Sequence, residues 1–324
     1  MKRTAFVTGM TGQDGPYLAR TLLEHGYQVY GLVKRYSNPN LDNLRWLGII
    51  NDIELVTGDV TDENSMNHLM RTLQPAEVYN LAAQSFVGVS WDLNKLTTEV
   101  NAMGPLNILN AIRTHSPNSR FYQASTSEMY GNSTGGQQNE TTPFHPRSPY
   151  GVSKLYAHWI TVNFRESYSL YACSGILFNH ESPLRGREFV TRKVTDGVAR
   201  IALGLSDTIA LGNLDARRDW GFAGDYAKAM WLMLQQPEAS DYVIATGEQH
   251  TIRELLEIAF DQAGVGDWEH RVVSDPRFKR PAELHSLCGD SGRARRLLGW
   301  QPQTAFDTMI RDMVDADLAR LKRP

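Results

Sequence analysis

The chain has 324 residues, of which 41% are hydrophobic and 21% are charged, as is typical of a globular protein with one large domain or two closely packed ones. Its formal net charge of -3 provides no broad basic surface, which argues against a nucleic-acid partner. No apolar run approaches the ~20 residues that span a bilayer, so no membrane association is expected.

The first predicted strand, Thr4–Thr8, follows the start so closely that a signal peptide is not expected. With only Cys173 and Cys288, no disulfide framework is expected, and the predicted compartment is the reducing cytoplasm. Strands and helices then alternate, which predicts an α/β fold, a doubly wound parallel sheet with helices on both faces. The other predicted strands are Gln28–Val33, Ile53–Thr57, Glu77–Leu81, Phe121–Ala124 and Ala172–Phe178, and the predicted helices include Pro16–His25, Thr97–Thr114 and Tyr150–Tyr168.

The second half has a different pattern, which predicts a smaller α/β lobe packed against the first part and interleaved with it. A capping box formed by Thr251 and Glu254 marks the start of one helix. Tyr242–Ala245 is expected to return to the main sheet. The remaining predicted elements are helices at Phe189–Gly204 and Asp225–Gln236, a strand at Thr208–Leu211, and a mostly helical tail at Ser291–Leu321.

A glycine-rich turn joins the first predicted strand to the first helix. Glycines there permit a tight turn and a close backbone approach to a pyrophosphate at the helix N-terminus. The spacing is G-x-x-G-x-x-G, and its place in the first strand–helix unit favours a dinucleotide site over an ordinary turn. The residues predicted to bind the cofactor here are Gly9, Thr11, Gly12, Gln13, Asp14 and Gly15.

The end of the second strand distinguishes NAD from NADP. An NAD site usually places a carboxylate there for the ribose 2′-hydroxyl, whereas this strand ends in Lys34 and Arg35. Because a guanidinium suits a 2′-phosphate, we predict NADP with Arg35 as its ligand; the alternative is a solvated surface arginine. Residues 1–178, with a return segment near 215–246, are thus predicted to be the NADP-binding domain, and the remainder of 179–324 the substrate-binding lobe.

Two further strand ends are predicted to reach the cofactor, although either could be an ordinary packed turn. Asp59 and Val60 follow the third strand and would contact the adenine. Small residues after the fourth strand would let the backbone approach the cofactor. This second group is Leu81, Ala82, Ala83, Gln84 and Ser85.

Tyr150 and Lys154 are four residues apart and therefore project from one face of their predicted helix. The lysine ammonium can stabilise a tyrosinate, which turns the phenol into a usable base. Glu128, in the run Ser125-Thr-Ser-Glu, adds a group for a second proton transfer. The structural alternatives are a core tyrosine and a carboxylate that caps a helix or pairs with an arginine.

Five long motifs extend this evidence over nearly the whole chain. They are Glu77–Ser85, Phe121–Gly131, Pro146–Tyr150, Ile176–Pro183 and Gly212–Trp220. These motifs resemble those of the extended short-chain dehydrogenase/reductases and, within that group, of the GDP-mannose 4,6-dehydratase family. The resemblance implies a Rossmann-type fold and a lyase that uses NADP and no metal ion.

The resemblance implies that GDP-mannose is dehydrated to GDP-4-dehydro-6-deoxymannose, with hydride passing from C4 to C6 through a recycled NADP. It also implies that Tyr150, assisted by Lys154, serves C4, and that Glu128 serves C5 and C6. Thr126 would hydrogen-bond the C4 oxygen, and Ser127 would assist near C6.

Binding residues are implied in the second half as well. His180 and Arg185 are expected at the cofactor. Each arginine alone would be read as a surface residue, but together in matching motifs they favour binding of a diphosphate. The residues expected at the substrate are Ser85, Thr126, Asn179, Arg192, Lys193, Gly212, Arg218, Arg280 and Glu283.

Three positions depart from the family pattern. Leu96 stands where a cofactor-contacting tyrosine is common, and His285 stands where an acid is common. The segment Tyr36–Asn40 differs from the Arg-Ser-Ser loop that reaches a neighbouring subunit in relatives. The expected homo-oligomer is therefore either a dimer or a tetramer.

The sequence leaves three alternative functions. A C4 epimerase or a C4 reductase needs no base at C5, so Glu128 argues against both. A dehydratase that acts on another GDP-sugar, such as a GDP-heptose, is the second alternative. A catalytically silent NADP-binding module is the third, but it would be expected to have lost Tyr150, Lys154 or Glu128, and all three are present.

Overall fold

A parallel sheet organises the residues that the computed structural model describes, which are 2–36, 39–132, 136–275 and 286–322. Its strands are β1 (Thr4–Val7), β2 (Gln28–Val33), β3 (Ile53–Thr57), β4 (Glu77–Asn80), β5 (Arg120–Thr126), β6 (Ala172–Leu177) and β11 (Tyr242–Ile244). Their order is β11-β6-β5-β4-β1-β2-β3, and every pair is parallel. The order reverses between β1 and β4, where an open α/β sheet places its ligand crevice.

Helices cover both faces of the sheet, because its central strands are apolar on both sides. On one face, α1 (Asp14–Glu24) packs against α8 (Ala223–Gln235). On the other face lie α3 (Glu63–Leu73), α5 (Gly104–His115) and α6 (Pro149–Tyr168). The predicted doubly wound α/β fold is confirmed. A further short helix, α2 (Asp42–Trp46), follows β2.

The predicted helix Thr97–Thr114 is interrupted. The chain forms α4 (Asn94–Thr98), a π-helical turn (Glu99–Met103) and then α5. Asn101 lies in this turn with 1% of its surface exposed. Its amide donates to the Ser153 hydroxyl at 3.2 Å and exchanges two hydrogen bonds with the backbone of Gln84. A partner that distant in sequence leaves no local signal, so the interruption was not predicted.

The second lobe contains α7 (Val190–Ala202), α9 (Ile252–Gln262) and α12 (Phe306–Leu321), which pack around a shared apolar core. Thr251 and Glu254 form the predicted capping box at the start of α9. Tyr242–Ile244 returns to the main sheet beside β6, so the two parts are interleaved; the domain boundary between residues 178 and 179 stays a prediction. The remaining elements are β7 (Asn179–Glu181), β8 (Ile209–Leu211), β9 (Arg217–Arg218), β10 (Trp220–Phe222), β12 (His250–Thr251), β13 (Val272–Ser274), β14 (Ser286–Leu287), α10 (Trp268–Arg271) and α11 (Gly292–Leu298).

A buried ion pair joins α7 to α12. The Arg192 guanidinium contacts the Asp317 carboxylate at 2.6 and 2.8 Å, and Asp317 is 1% exposed. Arg192 also donates to the carbonyl oxygens of Pro183 and Arg185, both at 2.9 Å. The expectation that Arg192 binds substrate is therefore not supported, because its guanidinium is used inside the lobe.

No helix among the described residues is both long and apolar enough to cross a bilayer.

Replacing Asp317 with Asn should lower the free energy of unfolding by about 3–5 kcal/mol, since the Arg192 charge would stay buried without its partner. Urea denaturation measures this change. Asp312→Asn, at an exposed position of the same helix, is the matched control and should stay within about 0.5 kcal/mol of the wild type. Equal losses in the two variants would contradict a stabilising role for the buried pair.

Candidate active site

The carboxyl ends of the parallel strands open into a cavity of about 1100 Å³. The second lobe forms its opposite wall through the loop after β6, the start of α7 and the segment after β8. Most single-ligand pockets have roughly 300–1,000 Å³. The cavity is thus large enough to hold a cofactor and a substrate together.

The cavity walls contain most of the predicted site residues. From the cofactor set they contain Gly9, Thr11, Gly12, Gln13, Asp14, Asp59, Val60, Leu81, Ala82, Ala83, Gln84, Ser85, His180 and Arg185. From the catalytic and substrate sets they contain Thr126, Ser127, Glu128, Tyr150, Lys154, Asn179, Lys193, Gly212 and Arg218. The structure therefore brings together groups that lie in eight separate stretches of the sequence.

Three predicted residues lie away from the walls. Gly15 packs behind the turn, where a Cβ would lie 2.7 Å from the Gly9 carbonyl oxygen. Arg35 is exposed and outside the cavity, whereas Lys34 lines it, as expected where side chains alternate along an extended segment. Arg192 is buried against Asp317, as described above. The predicted positions Arg280, Glu283 and His285 lie outside the described residues.

The turn after β1 has the geometry that close backbone approach requires. Gly9 has a φ of +70°, and a Cβ there would lie 2.7 Å from the carbonyl carbon of Leu81. The Thr8 hydroxyl accepts hydrogen bonds from the backbone N–H groups of Leu81 and Ala82, both at 3.0 Å. The turns after β1 and β4 are thereby held together beside the N-terminus of α1, where a phosphate is favoured.

One cavity wall carries an acceptor without a partner. The side-chain oxygen of Gln84 is buried and has no hydrogen-bond partner among the residues described. Asn101 holds the backbone of Gln84 in place from the π-helical turn. Gln84 lines the cavity, so its side chain belongs to the wall where the turn after β4 is predicted to approach the cofactor.

Tyr150 and Lys154 occupy the first two turns of α6. Ser148 caps this helix by accepting from the Gly151 N–H at 3.0 Å, and Pro149 is its first residue. Lys154 is 4% exposed, and its ammonium donates to the carbonyl oxygen of Ala124 in β5 at 2.9 Å. The ammonium nitrogen lies 5.9 Å from the centre of the Tyr150 ring, so the predicted pairing on one helix face is present.

Burial shifts the acidity of both groups. It raises the pKa of Tyr150 to about 12; a hydrogen bond from Thr126 opposes this shift, and the Glu128 carboxylate adds to it. Burial also lowers the pKa of Lys154 to about 8. Tyr150 is thus protonated at neutral pH when only the chain surrounds it, and its use as a base requires a stabilised phenolate.

Glu128 faces the same part of the cavity as Tyr150. β5 ends at Thr126, and the 3-10 turn Ser127–Met129 directs the chain along the cavity wall. The Thr126 hydroxyl accepts from the Glu128 N–H at 3.2 Å and caps the turn. Since Glu128 raises the pKa of Tyr150, its charge acts on the phenol. The cavity therefore holds two proton-transfer groups next to each other.

An aromatic contact that was not predicted links the two walls. Phe86 follows β4 and Phe189 precedes α7, and their ring centres are 5.7 Å apart at an angle of 79°. The Arg185 guanidinium lies 3.5 Å from the centre of the Phe189 ring. Apolar residues in loops are not in themselves a sign of a site, so this pair could not be selected from the sequence.

Comparison with known proteins identifies the family. The family model for GDP-mannose 4,6 dehydratase matches residues 6–313. The chain is 50% identical over 332 residues to GDP-mannose 4,6 dehydratase 1 of Arabidopsis thaliana. The aligned region covers 99% of this chain and 91% of the plant protein.

Two solved structures extend the comparison. The dTDP-glucose 4,6-dehydratase DesIV of Streptomyces venezuelae, with NAD bound, has a TM-score of 0.86 at 26% identity and covers 99% of this chain and 98% of its own. The RMD protein of Pseudomonas aeruginosa, complexed with NADPH, has a TM-score of 0.83 at 26% identity and covers 99% of both chains. Since the family model and the plant relative both match nearly the whole chain, the chain belongs to the GDP-mannose 4,6-dehydratase family, whose activity is the 4,6-dehydration of GDP-mannose.

Proposed function

We propose that this cavity converts GDP-mannose to GDP-4-dehydro-6-deoxymannose and water, a hydro-lyase reaction with NADP as the recycled cofactor. The observation that carries the proposal is the presence of a tyrosine–lysine pair and a separate carboxylate, Glu128, in one cavity. Oxidation at C4 needs only the pair, whereas elimination across C5 and C6 needs a further acid/base group. The expected homo-oligomer and cytoplasmic location stay predictions.

The walls formed by the sheet would hold the cofactor. Gly9 permits backbone approach to its phosphates, and the turn after β4 is held beside it by the Thr8 hydroxyl. When bound there, a nicotinamide would supply reversible hydride transfer, so that C4 could be oxidised and C6 reduced with the same hydride. Family membership and similar structures with NAD or NADPH support a nicotinamide cofactor.

Tyr150 would accept the proton of the C4 hydroxyl as that carbon is oxidised. The hydrogen bond from Thr126 favours the phenolate that this step requires. The Lys154 ammonium, 5.9 Å from the ring centre, would add a positive charge that favours it too. Thr126 hydrogen-bonds Tyr150, so a C4 oxygen placed at the Tyr150 hydroxyl would also lie near the Thr126 hydroxyl. In this assignment, α6 and the end of β5 together serve C4.

Glu128 would serve the elimination. A ketone at C4 acidifies the hydrogen on C5, because the resulting carbanion is stabilised as an enolate. Glu128 removes this proton and gives it to the departing C6 hydroxyl, which leaves as water, while Ser127 assists near C6. Tyr150 then returns its proton to C5, so the cofactor and both side chains end as they began.

The second lobe would bind the rest of the substrate. Lys193 and Arg218 line the cavity and provide cations for the diphosphate. Asn179 and Gly212 lie in the same wall. On the opposite side, Ser85 is exposed in the loop after β4 and can contact the sugar.

Glu128→Gln should reduce formation of the 4-keto product by roughly 10²–10⁴-fold, because it removes the acid/base group and preserves the side-chain size. Product formation is measured by NMR and NADP binding by titration, and binding should not change. Glu188→Gln removes an exposed carboxylate from the wall of the same cavity and is the matched control. Full turnover by Glu128→Gln, or an equal loss in both variants, would sink the assignment.

Arg35→Ala should weaken NADP binding by roughly 10- to 100-fold, because the variant loses one hydrogen bond to a charged group. NAD has no 2′-phosphate, so its binding should not change. Lys34 lines the cavity but pairs with Asp59 at 3.1 Å. Arg35 is exposed beside it, outside the cavity, and has no ion pair among the described residues, so the 2′-phosphate would have to reach past the wall to Arg35. Arg45→Ala, at an exposed arginine paired with Asp42, is the control. Unchanged NADP affinity in Arg35→Ala would rule out its role in selecting NADP.

A further inference from the structure

A carboxylate lies where the fold favours an anion. Asp14 is the first residue of α1 and lines the cavity beside the glycine turn. The N-terminus of a helix attracts phosphate through its free N–H groups. A lone carboxylate there would repel the phosphates of a dinucleotide. The neighbours of Asp14 show how this charge is balanced.

His180 is the partner of Asp14. Its Nε2 lies 2.9 Å from Asp14 Oδ2, and its Nδ1 lies 2.7 Å from the Phe178 carbonyl oxygen. A carbonyl oxygen can only accept a hydrogen bond, and so can an ionised carboxylate. Both ring nitrogens must therefore carry a proton, which makes the ring an imidazolium.

The ring is also held in orientation by its surroundings. It stacks on Tyr226 of α8, with ring centres 4.7 Å apart and an angle of 24°. Gln13 donates to the His180 carbonyl oxygen at 3.0 Å and to Asp14 Oδ1 at 3.1 Å. Ser182 in turn donates to the Gln13 side-chain oxygen at 2.9 Å. Hydrogen bonds among Gln13, Asp14, His180 and Ser182 therefore connect the start of α1 to β7 and the residue that follows it.

The charges around the ring support the same protonation state. Burial opposes the charge on His180, but Asp14 outweighs it and the pKa of His180 is raised. Burial likewise acts to raise the pKa of Asp14, but His180 and Arg185 outweigh it and the pKa is lowered. A raised pKa means that the imidazolium persists above the ordinary value of about 6.5 and is lost only as pH rises through the folded value.

Other charged and titratable groups interact with the ring or with Asp14, among them the phenols of Tyr17, Tyr122 and Tyr150. Arg185 lies in the loop after β7 and pairs with Glu181 at 3.1 Å. Lys154 of α6 interacts with Asp14, and Tyr226 of α8 is a phenol whose pKa is raised by burial. Arg185 and Lys154 are opposite in charge to Asp14 and Glu181, and the charge of His180 adds to the positive side of this wall.

We propose that Asp14 is a positioning residue that holds His180 as an oriented imidazolium and thereby presents a fixed positive charge to the phosphates of the cofactor. This inference rests on the proposed binding of a dinucleotide. The Asp14 carboxylate acts through His180 and needs no contact with the cofactor. This role would explain why a carboxylate stands at the N-terminus of α1, beside the expected phosphates.

The state of the ring can be measured directly. The ¹⁵N chemical shifts of labelled histidines in the wild-type protein, with the signal assigned by its loss in His180→Gln, should show both His180 nitrogens protonated at about pH 7.5, a unit above the ordinary pKa. In Asp14→Asn the ring should be neutral at this pH. A neutral His180 ring in the wild-type protein overturns the proposal, and this result requires no cofactor or turnover.

The effect on binding is tested with NADP itself. The dissociation constant for NADP in Asp14→Asn, divided by that of the wild type, should be at or below one near pH 6. It should rise about tenfold by pH 8, because the variant then loses the positive charge of His180 beside the phosphates. Taking the ratio cancels the titration of the cofactor's own phosphate. Asp52→Asn, at an exposed carboxylate, should give a ratio near one throughout. A ratio for Asp14→Asn that is raised equally at all pH values would indicate a merely structural role and overturn the proposal.

Discussion

The hydrogen bond from the buried Lys154 ammonium to the Ala124 carbonyl oxygen is the constraint on which the active site depends. A buried ammonium is costly unless polar groups surround it, so this 2.9 Å contact fixes α6 against β5. Tyr150 lies one turn earlier on that helix, and Thr126 and Glu128 lie at the end of that strand. The contact that satisfies the lysine therefore also sets the spacing of the catalytic groups.

The fold separates two tasks and joins them at one cavity. The parallel sheet brings strand ends together at its carboxyl edge, where backbone turns and small residues suit a dinucleotide. The second lobe is held by its own core and by the buried Arg192–Asp317 pair. Phe86 and Phe189 meet between the two walls. The proposed chemistry takes place at this junction, since it needs the hydride carrier and the sugar in one enclosed space.

Local pattern predicted the parts of the structure that depend on short segments. The main strands and the Tyr150–Lys154 pairing follow from apolar runs and from the helical repeat, so both could be predicted. The ion pair of Arg192 depends on a residue 125 positions away, and the π-helical turn at Asn101 depends on the loop after β4. The His180–Asp14 contact is also long-range. The glycine-rich turn predicted Asp14 at the cofactor and the family resemblance implied His180 there, but neither indicated that the two residues pair.

In the proposed reaction one cavity oxidises, dehydrates and reduces a single sugar with a recycled cofactor. GDP-mannose that carries deuterium at C4, supplied with catalytic NADP and no added NADPH, tests this directly. The deuterium should appear at C6 of the 4-keto product, and no NADPH should accumulate. Deuterium that stays at C4 or is lost to solvent, or a requirement for stoichiometric NADPH, would contradict it.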